Sequence, residues 1–150
     1  MKVEKRLEEL RIILPKPSTS LGSYVPAVKA GSFVYLSGVV PLKEGNVEKG
    51  KFGRDLTVES GKKIAELCGL QLIANLKEAI GDLDRVKQIV RIEGFVNSTD
   101  EFEEQSKVLN VVSDLLVKVF GEKGRHSRIA IGVNSLPLGA AMEVSAIVEI

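Results

Sequence analysis

The stretch GRHSRIAIGVNSLPLGAAMEVSAIVEI, residues 124–150, reads as two strands, about 127–134 and 141–149, joined by SLPLGA. Alternation in the first puts Arg128, Ala130, Gly132 and Asn134 on one side and Ile129, Ile131 and Val133 on the other. In the second, Glu143, Ser145 and Glu149 share a side, opposite Val144, Ala146 and Val148. Apolar residues at both parities predict a sheet covered on both faces. Arg128 and Glu143 stand in this apolar company, where a charge is costly unless solvated, paired or used. The small residues beside Arg128 leave room for a ligand, and the planar fork of a guanidinium suits a carboxylate.

Working outward, residues 101–120 place Val108, Val111, Val112, Leu115, Leu116 and Val119 at helical spacing. Asp100 and Glu103 have the spacing of a capping box, and Gly121 supplies the stop. RVKQIVRIEGFVNS, residues 85–98, alternates as a strand. Residues 56–80 predict a long helix with a broad apolar face, started by Asp55 or Thr57 and ended by Gly81. KEGNVEKGKFGRD, residues 43–55, reads as an exposed charged loop. VPAVKAGSFVYLSGVVPL, residues 25–42, is a hairpin about Ala30-Gly31-Ser32 that ends at Pro41. PKPSTSLGSY, residues 15–24, is extended, and residues 2–10 form a short amphipathic helix. The order β-β-α-β-α-β-β packs most simply as an α+β fold, one sheet with two helices on one face. The other face is then expected to meet another subunit.

At 150 residues the chain suits a single domain with its own core. With 44% apolar and 27% charged residues it has an ordinary globular composition, and its longest apolar runs are too short to span a membrane. Twenty-one basic against 20 acidic residues give no electrostatic case for nucleic acid. One cysteine, Cys68, and one histidine, His126, cannot build a Cys/His zinc site within the chain. No phosphate-binding loop or dinucleotide fingerprint occurs, so the expected chemistry acts on a small molecule without metal or organic cofactor. The N-terminus MKVEKRLEELRIIL lacks an apolar signal core, and with the lone cysteine it predicts a cytoplasmic protein. Cys68 is expected in the core, and His126 in an exposed turn.

In order along the chain come GSYVPAV, FVYLSGVVP, a long helix ending at Gly81, FVNSTDEF, SRIAIGVNSLP and MEVSAIVEI. Together these pieces resemble the YjgF/RidA family of reactive enamine/imine deaminases, also labelled endoribonuclease L-PSP, from about residue 20 to the C-terminus. The resemblance implies a chorismate-mutase-like α+β fold assembled as a homotrimer, with a ligand cleft between protomers. It implies that Arg128 grips a substrate carboxylate and Glu143 positions the hydrolytic water. Tyr24, Ser37, Gly38 and Ala130 would line the cleft, and Asn110 would reach in from the neighbouring subunit. The implied reaction is cofactor-free hydrolysis of 2-imino or 2-enamino acids to 2-oxo acids and ammonia. The alternatives are non-catalytic binding of small carboxylates and, third, cleavage of RNA or inhibition of translation. Relative to the family pattern, His126 replaces a small residue or proline, Ile129 a small residue, and Ala130 a cysteine found in many deaminating members. Residues 1–19 are an added N-terminal extension.

Overall fold

The structure, a computed structural model, describes residues 2–20 and 22–150. Its elements are α1 (Lys2–Glu9), β1 (Ala27–Ala30), β2 (Phe33–Val39), β3 (Leu42–Lys43), β4 (Asn46–Val47), α2 (Lys62–Ile80), β5 (Gln88–Asn97), α3 (Gln105–Phe120), β6 (Ser127–Val133) and β7 (Met142–Glu149). Among the described residues, five strands form one sheet in the order β1-β2-β7-β5-β6. β5 and β6 run parallel, with α3 as their crossover, and the other neighbours are antiparallel. The last strand in sequence is therefore the central one, and β6 is an edge.

The mixed α+β architecture follows from which parity is buried. Val34, Leu36, Ile92, Val96, Val144, Ala146 and Val148 are all buried beneath α2 and α3. The opposite parity carries Phe33, Tyr35, Ile129 and Ile131, and Tyr35 is 46% exposed and Ile129 43%. Ile89 and Ile92 both reach the core despite their odd spacing, because a bulge between Ile89 and Arg91 resets the alternation. Gly94 lets α3 lie close to the sheet: a Cβ there would fall 2.6 Å from both methyl carbons of the fully buried Leu109.

Three local expectations are corrected. Residues 56–61 are not helical; Ser60 Oγ accepts the Thr57 N–H at 2.9 Å and Thr57 Oγ1 accepts the Ser60 N–H at 3.1 Å. These hydroxyls offer the backbone a tight turn in place of a helical one. The expected capping box at Asp100 and Glu103 is likewise absent, and α3 starts at Gln105 after a turn in which Phe102 packs on Phe52, ring centroids 5.7 Å apart. Residues 43–55 are not a free loop, because β3 and β4 pair and Phe52 is fully buried. Lys51 fastens the same segment to the sheet, donating to Asn97 Oδ1 at 2.7 Å and to the Ser98 and Asn134 carbonyls. The expected extended stretch 15–24 holds neither helix nor strand over its described residues, and Leu21 lies outside them.

The N-terminal extension forms a third layer on the helices. Asp84 accepts the first N–H groups of α1, those of Lys2 and Val3, at 2.8 Å each, and Arg6 Nε donates to the Lys118 carbonyl at 2.9 Å. Farther along, Asn75 Oδ1 accepts the Ser18 N–H at 2.9 Å, its Nδ2 donates to Ser18 Oγ at 2.7 Å, and Gln71 Nε2 donates to the Lys16 carbonyl at 2.9 Å. This layer explains why Gln71 through Leu76 are buried around the whole of α2. Asn75→Ala strips Ser18 of both partners and is expected to cost about 1–3 kcal/mol. A urea titration checks the loss, and limited proteolysis before residue 20 should accelerate with it.

Candidate functional site

Arg128 sits on the edge strand β6 in register with Ile92 of β5, which in turn pairs with Ala146 of β7. Paired residues share a face, so the Arg128 side chain rises on the helix-covered side. There Nη1 donates to Ser113 Oγ at 3.0 Å and Nη2 to the Ser106 carbonyl at 3.2 Å, both on α3. Two donors are thus spent on positioning, and the remaining N–H groups are unspent among the described residues. Asn110, exposed on α3, lies on the same helical face as Ser106 and Ser113 by the i, i+4, i+7 spacing. Ala130 and Gly132 follow Arg128 on the same face of β6; a Cβ on Gly132 would meet Ser98 Oγ at 2.6 Å and Gln105 Nε2 at 2.8 Å, so that position is closed by their side chains.

His126 completes the cluster and is the residue that sequence reasoning missed. It is half-buried rather than exposed, with Nδ1 2.6 Å from the Gly124 carbonyl and Nε2 2.9 Å from Ser113 Oγ. A carbonyl only accepts, so Nδ1 carries the proton and Nε2 receives the Ser113 hydroxyl. Burial, and secondarily the Arg128 charge, lower the His126 pKa, against the opposing pull of the Gly124 carbonyl. A histidine whose folded pKa is lowered binds protons more readily when unfolded, so this group's contribution is intact above about pH 6.5 and lost as pH falls below it. Melting curves between pH 7 and 5 should show an acid loss of stability that shrinks in His126→Gln. The signal was present in the sequence as a lone histidine two residues, one strand repeat, before the arginine.

Glu143 lies on β7 in register with Phe95, on the opposite, open face of the sheet. It stands two strands from Arg128, a lateral offset of about 10 Å. Arg128 and Glu143 therefore do not meet in one chain. What Glu143 does meet is Gly38, where a Cβ would fall 2.4 Å from Glu143 Oε1. Its carboxylate accepts no hydrogen bond from the described residues, and burial raises its pKa above the ordinary glutamate value. Ser37, beside Gly38 in the irregular stretch of β2, donates its hydroxyl to the Val25 carbonyl at 2.6 Å, and its N–H goes to Pro26 at 2.9 Å. These bonds hold the segment that carries Tyr24, itself 54% exposed. Cys68, expected in the core, is fully buried and donates to the Val39 carbonyl at 3.4 Å. Burial foremost, with the nearby Glu143 charge, pushes its thiol pKa far up.

The chain thus presents two separate clusters of candidate residues, one of Arg128, Asn110, Ser113, His126 and Ala130, the other of Tyr24, Ser37, Gly38 and Glu143. Two sizeable hollows of the chain lie elsewhere. One, of about 280 Å³, sits between the N-terminal extension, β1 and the end of α2; another, of about 180 Å³, lies on the open face beside Tyr35, Arg91 and Glu93. Among the described residues no group of three or more His, Cys, Asp or Glu could hold a metal ion, and no helix is long and apolar enough to cross a membrane.

The family described as "YjgF/chorismate mutase-like, putative endoribonuclease" matches residues 4–150. The chain belongs to the YjgF/RidA family. Among family relatives, Protein TCP17 of Trypanosoma cruzi is 44% identical over 151 residues, covering 99% of this chain and 94% of that one. A crystal structure from Shewanella oneidensis, described as a putative endoribonuclease, is 38% identical with a TM-score of 0.95 over 100% of both chains. A crystal structure of a protein of unknown function from Agrobacterium tumefaciens is 42% identical with a TM-score of 0.90, covering 99% of this chain and 92% of that one. The YjgF/RidA match includes the N-terminal extension from residue 4 onward.

Proposed function

We propose that the protein hydrolyses 2-imino or 2-enamino acids to 2-oxo acids and ammonia without a cofactor, at clefts between protomers of a homotrimer. The observation that carries this reading is Arg128, fixed to α3 by two bonds with further N–H donors unspent, with the small Ala130 next on the same face of β6. A guanidinium so held fixes a substrate carboxylate and thereby orients the electrophilic imine carbon next to it. Glu143, half-buried and with unspent oxygens, is suited to hold and orient a water. Because it faces the other side of its own sheet, the Glu143 that serves a given Arg128 belongs to a second chain, as do its companions Tyr24, Ser37 and Gly38. The exposed Phe33, Tyr35, Ile129 and Ile131 supply the apolar surface for such an assembly. The imine carbon accepts the water oxygen, the C=N pair moves to nitrogen, and the carbinolamine collapses to a carbonyl as ammonia leaves.

The second reading, binding of small carboxylates without turnover, is favoured by the separation of Arg128 from Glu143 within the chain: an Arg128 that no Glu143 reaches grips an acid and does nothing more. Endoribonuclease activity finds less support, since the single histidine is engaged with Ser113 and Gly124 and the charge balance is near neutral. An imine-generating amino-acid oxidase coupled to semicarbazide trapping separates the readings. The deaminase reading expects less semicarbazone when the protein is added. Unchanged trapping, together with a melting shift that saturates with pyruvate, leaves binding alone.

A further inference from the structure

Gly124, His126, Ser113 and Arg128 form a continuous chain of hydrogen bonds with a fixed direction. The Gly124 carbonyl takes the Nδ1 proton at 2.6 Å, Nε2 takes the Ser113 hydroxyl at 2.9 Å, and Ser113 Oγ takes an N–H of Arg128 at 3.0 Å. A hydroxyl oxygen has two lone pairs, so Ser113 retains one acceptor site beside the guanidinium. A backbone carbonyl here fixes the imidazole tautomer, as a carboxylate does in a serine–histidine–aspartate triad. The arrangement spans three elements: the Gly121–Gly124 turn, β6 and α3.

We propose that Ser113 and His126 form a proton relay at the Arg128 site, Ser113 touching the bound water and His126 holding the proton through it. The inference rests on the deaminase reading and gives it an acid–base group on the same chain as the carboxylate clamp. When water attacks the protonated imine, its oxygen bonds to carbon and the C=N pair moves to nitrogen. The proton released by the water passes to Ser113 Oγ as the Ser113 proton passes to His126 Nε2. The flow then reverses: His126 returns its proton through Ser113 to the amine, the C–N bond breaks with its electrons on nitrogen, and the carbinol oxygen becomes the carbonyl. Its hydroxyl proton leaves with the nitrogen as ammonium, so a water and an iminium become a 2-oxo acid and ammonium. His126 ends neutral. Glu143 from the neighbouring chain orients the water, which lets the relay take its proton.

The charges around the ring are few. Arg128 acts on it from its own strand, while α3 offers the neutral Ser113, with Asp114 exposed next to it. Arg125, adjacent in the chain, is paired with Glu122 at 3.2 Å, and the neutral Gln88 of β5 holds this turn through the Lys123 and Arg125 carbonyls. A carboxylate docking on Arg128 offsets the one cation near the ring and should raise the imidazole pKa.

The histidine is the only one in the chain, so its imidazole can be followed without assignment in the 15N-labelled protein. The free protein should show the Nδ1–H tautomer near neutral pH, and saturating pyruvate should move the titration upward. Turnover of an oxidase-generated imine should carry an acid limb that follows the same titration. Ser113→Ala should lower kcat by about 10²-fold, Ser113→Thr should restore most of it, and His126→Gln should remove the acid limb. Melting temperatures of the variants identify any loss due to folding, and the conservative Ser113→Thr pair keeps the test informative if Ser113→Ala is unstable. Turnover in the unmutated protein with kcat and pH profile unchanged in both Ser113→Ala and His126→Gln overturns the relay and leaves the deaminase reading standing. No turnover in the unmutated protein overturns both.

Discussion

Arg128→Ala should lower kcat/KM for a 2-imino acid by roughly 10²–10⁴-fold, since two charge-assisted hydrogen bonds of about 1.5–3 kcal/mol each disappear and every 1.36 kcal/mol is a factor of ten. The effect on folding should be small by comparison. Arg128 lies at a half-buried edge position and its two structural bonds go to α3, which is already held by a fully buried Leu109 and Leu116. Arg128→Lys keeps the charge and removes the fork, so it should recover a minor part of the lost rate. Initial rates over a range of imine flux, with circular dichroism melts beside them, distinguish loss of grip from loss of fold. A variant that keeps its rate removes the carboxylate clamp from the account.

The largest expected effect on stability is at Gly124. This glycine is buried, and a Cβ on it would lie 2.3 Å from the Leu116 carbonyl oxygen, 2.7 Å from its carbon and 3.0 Å from the Val117 Cα. All three are backbone atoms of α3, so no side-chain rotation relieves the clash. Gly124→Ala must push the turn off the helix, and we expect a loss of about 3 kcal/mol, the upper end for overpacking, with a melting temperature lower by roughly 6–12 °C. The same shift carries the Gly124 carbonyl away from His126 Nδ1 and should release the tautomer preference in the imidazole spectrum. A thermal melt within a degree or two of the unmutated protein contradicts the close approach.

Much of the fold was legible because it depends on local pattern. The alternation of β6 and β7 and the apolar face of α3 are each set by residues a few positions apart. The misplaced helix starts involve residue types that begin helices, yet Thr57 and Ser60 bond each other in a local turn, and the segment after Asp100 is held in a turn where Phe102 packs on Phe52. Phe52 itself could not be placed, since a single aromatic in a run of glycine and charge reads as a loop until its burial is known. Of the candidate site, only what single strands encode was legible. Arg128 and Glu143 stood out as charges among apolar neighbours, whereas Gly38 entered only through the family resemblance, and the parities read for β6 and β7 match the structure. Which parity of β6 shares a face with which parity of β7 depends on the register of both against Arg91–Asn97 of β5, and no local pattern encodes that. The His126–Ser113 contact joins residues 13 apart across a turn and was hidden for the same reason.

The central claim is that Arg128 of one chain works with Glu143 of another, and mixing two inactive variants tests it most directly. Arg128→Ala and Glu143→Gln proteins, each inert alone, are denatured together in equal amounts and refolded. If the two residues come from different chains, mixed assemblies contain intact sites, about a quarter of the total for random assembly of a symmetric ring. Imine hydrolysis should then return in proportion. A mixture that refolds into the normal assembly yet stays as inactive as its parents shows that the two residues do not combine across chains, and contradicts the account.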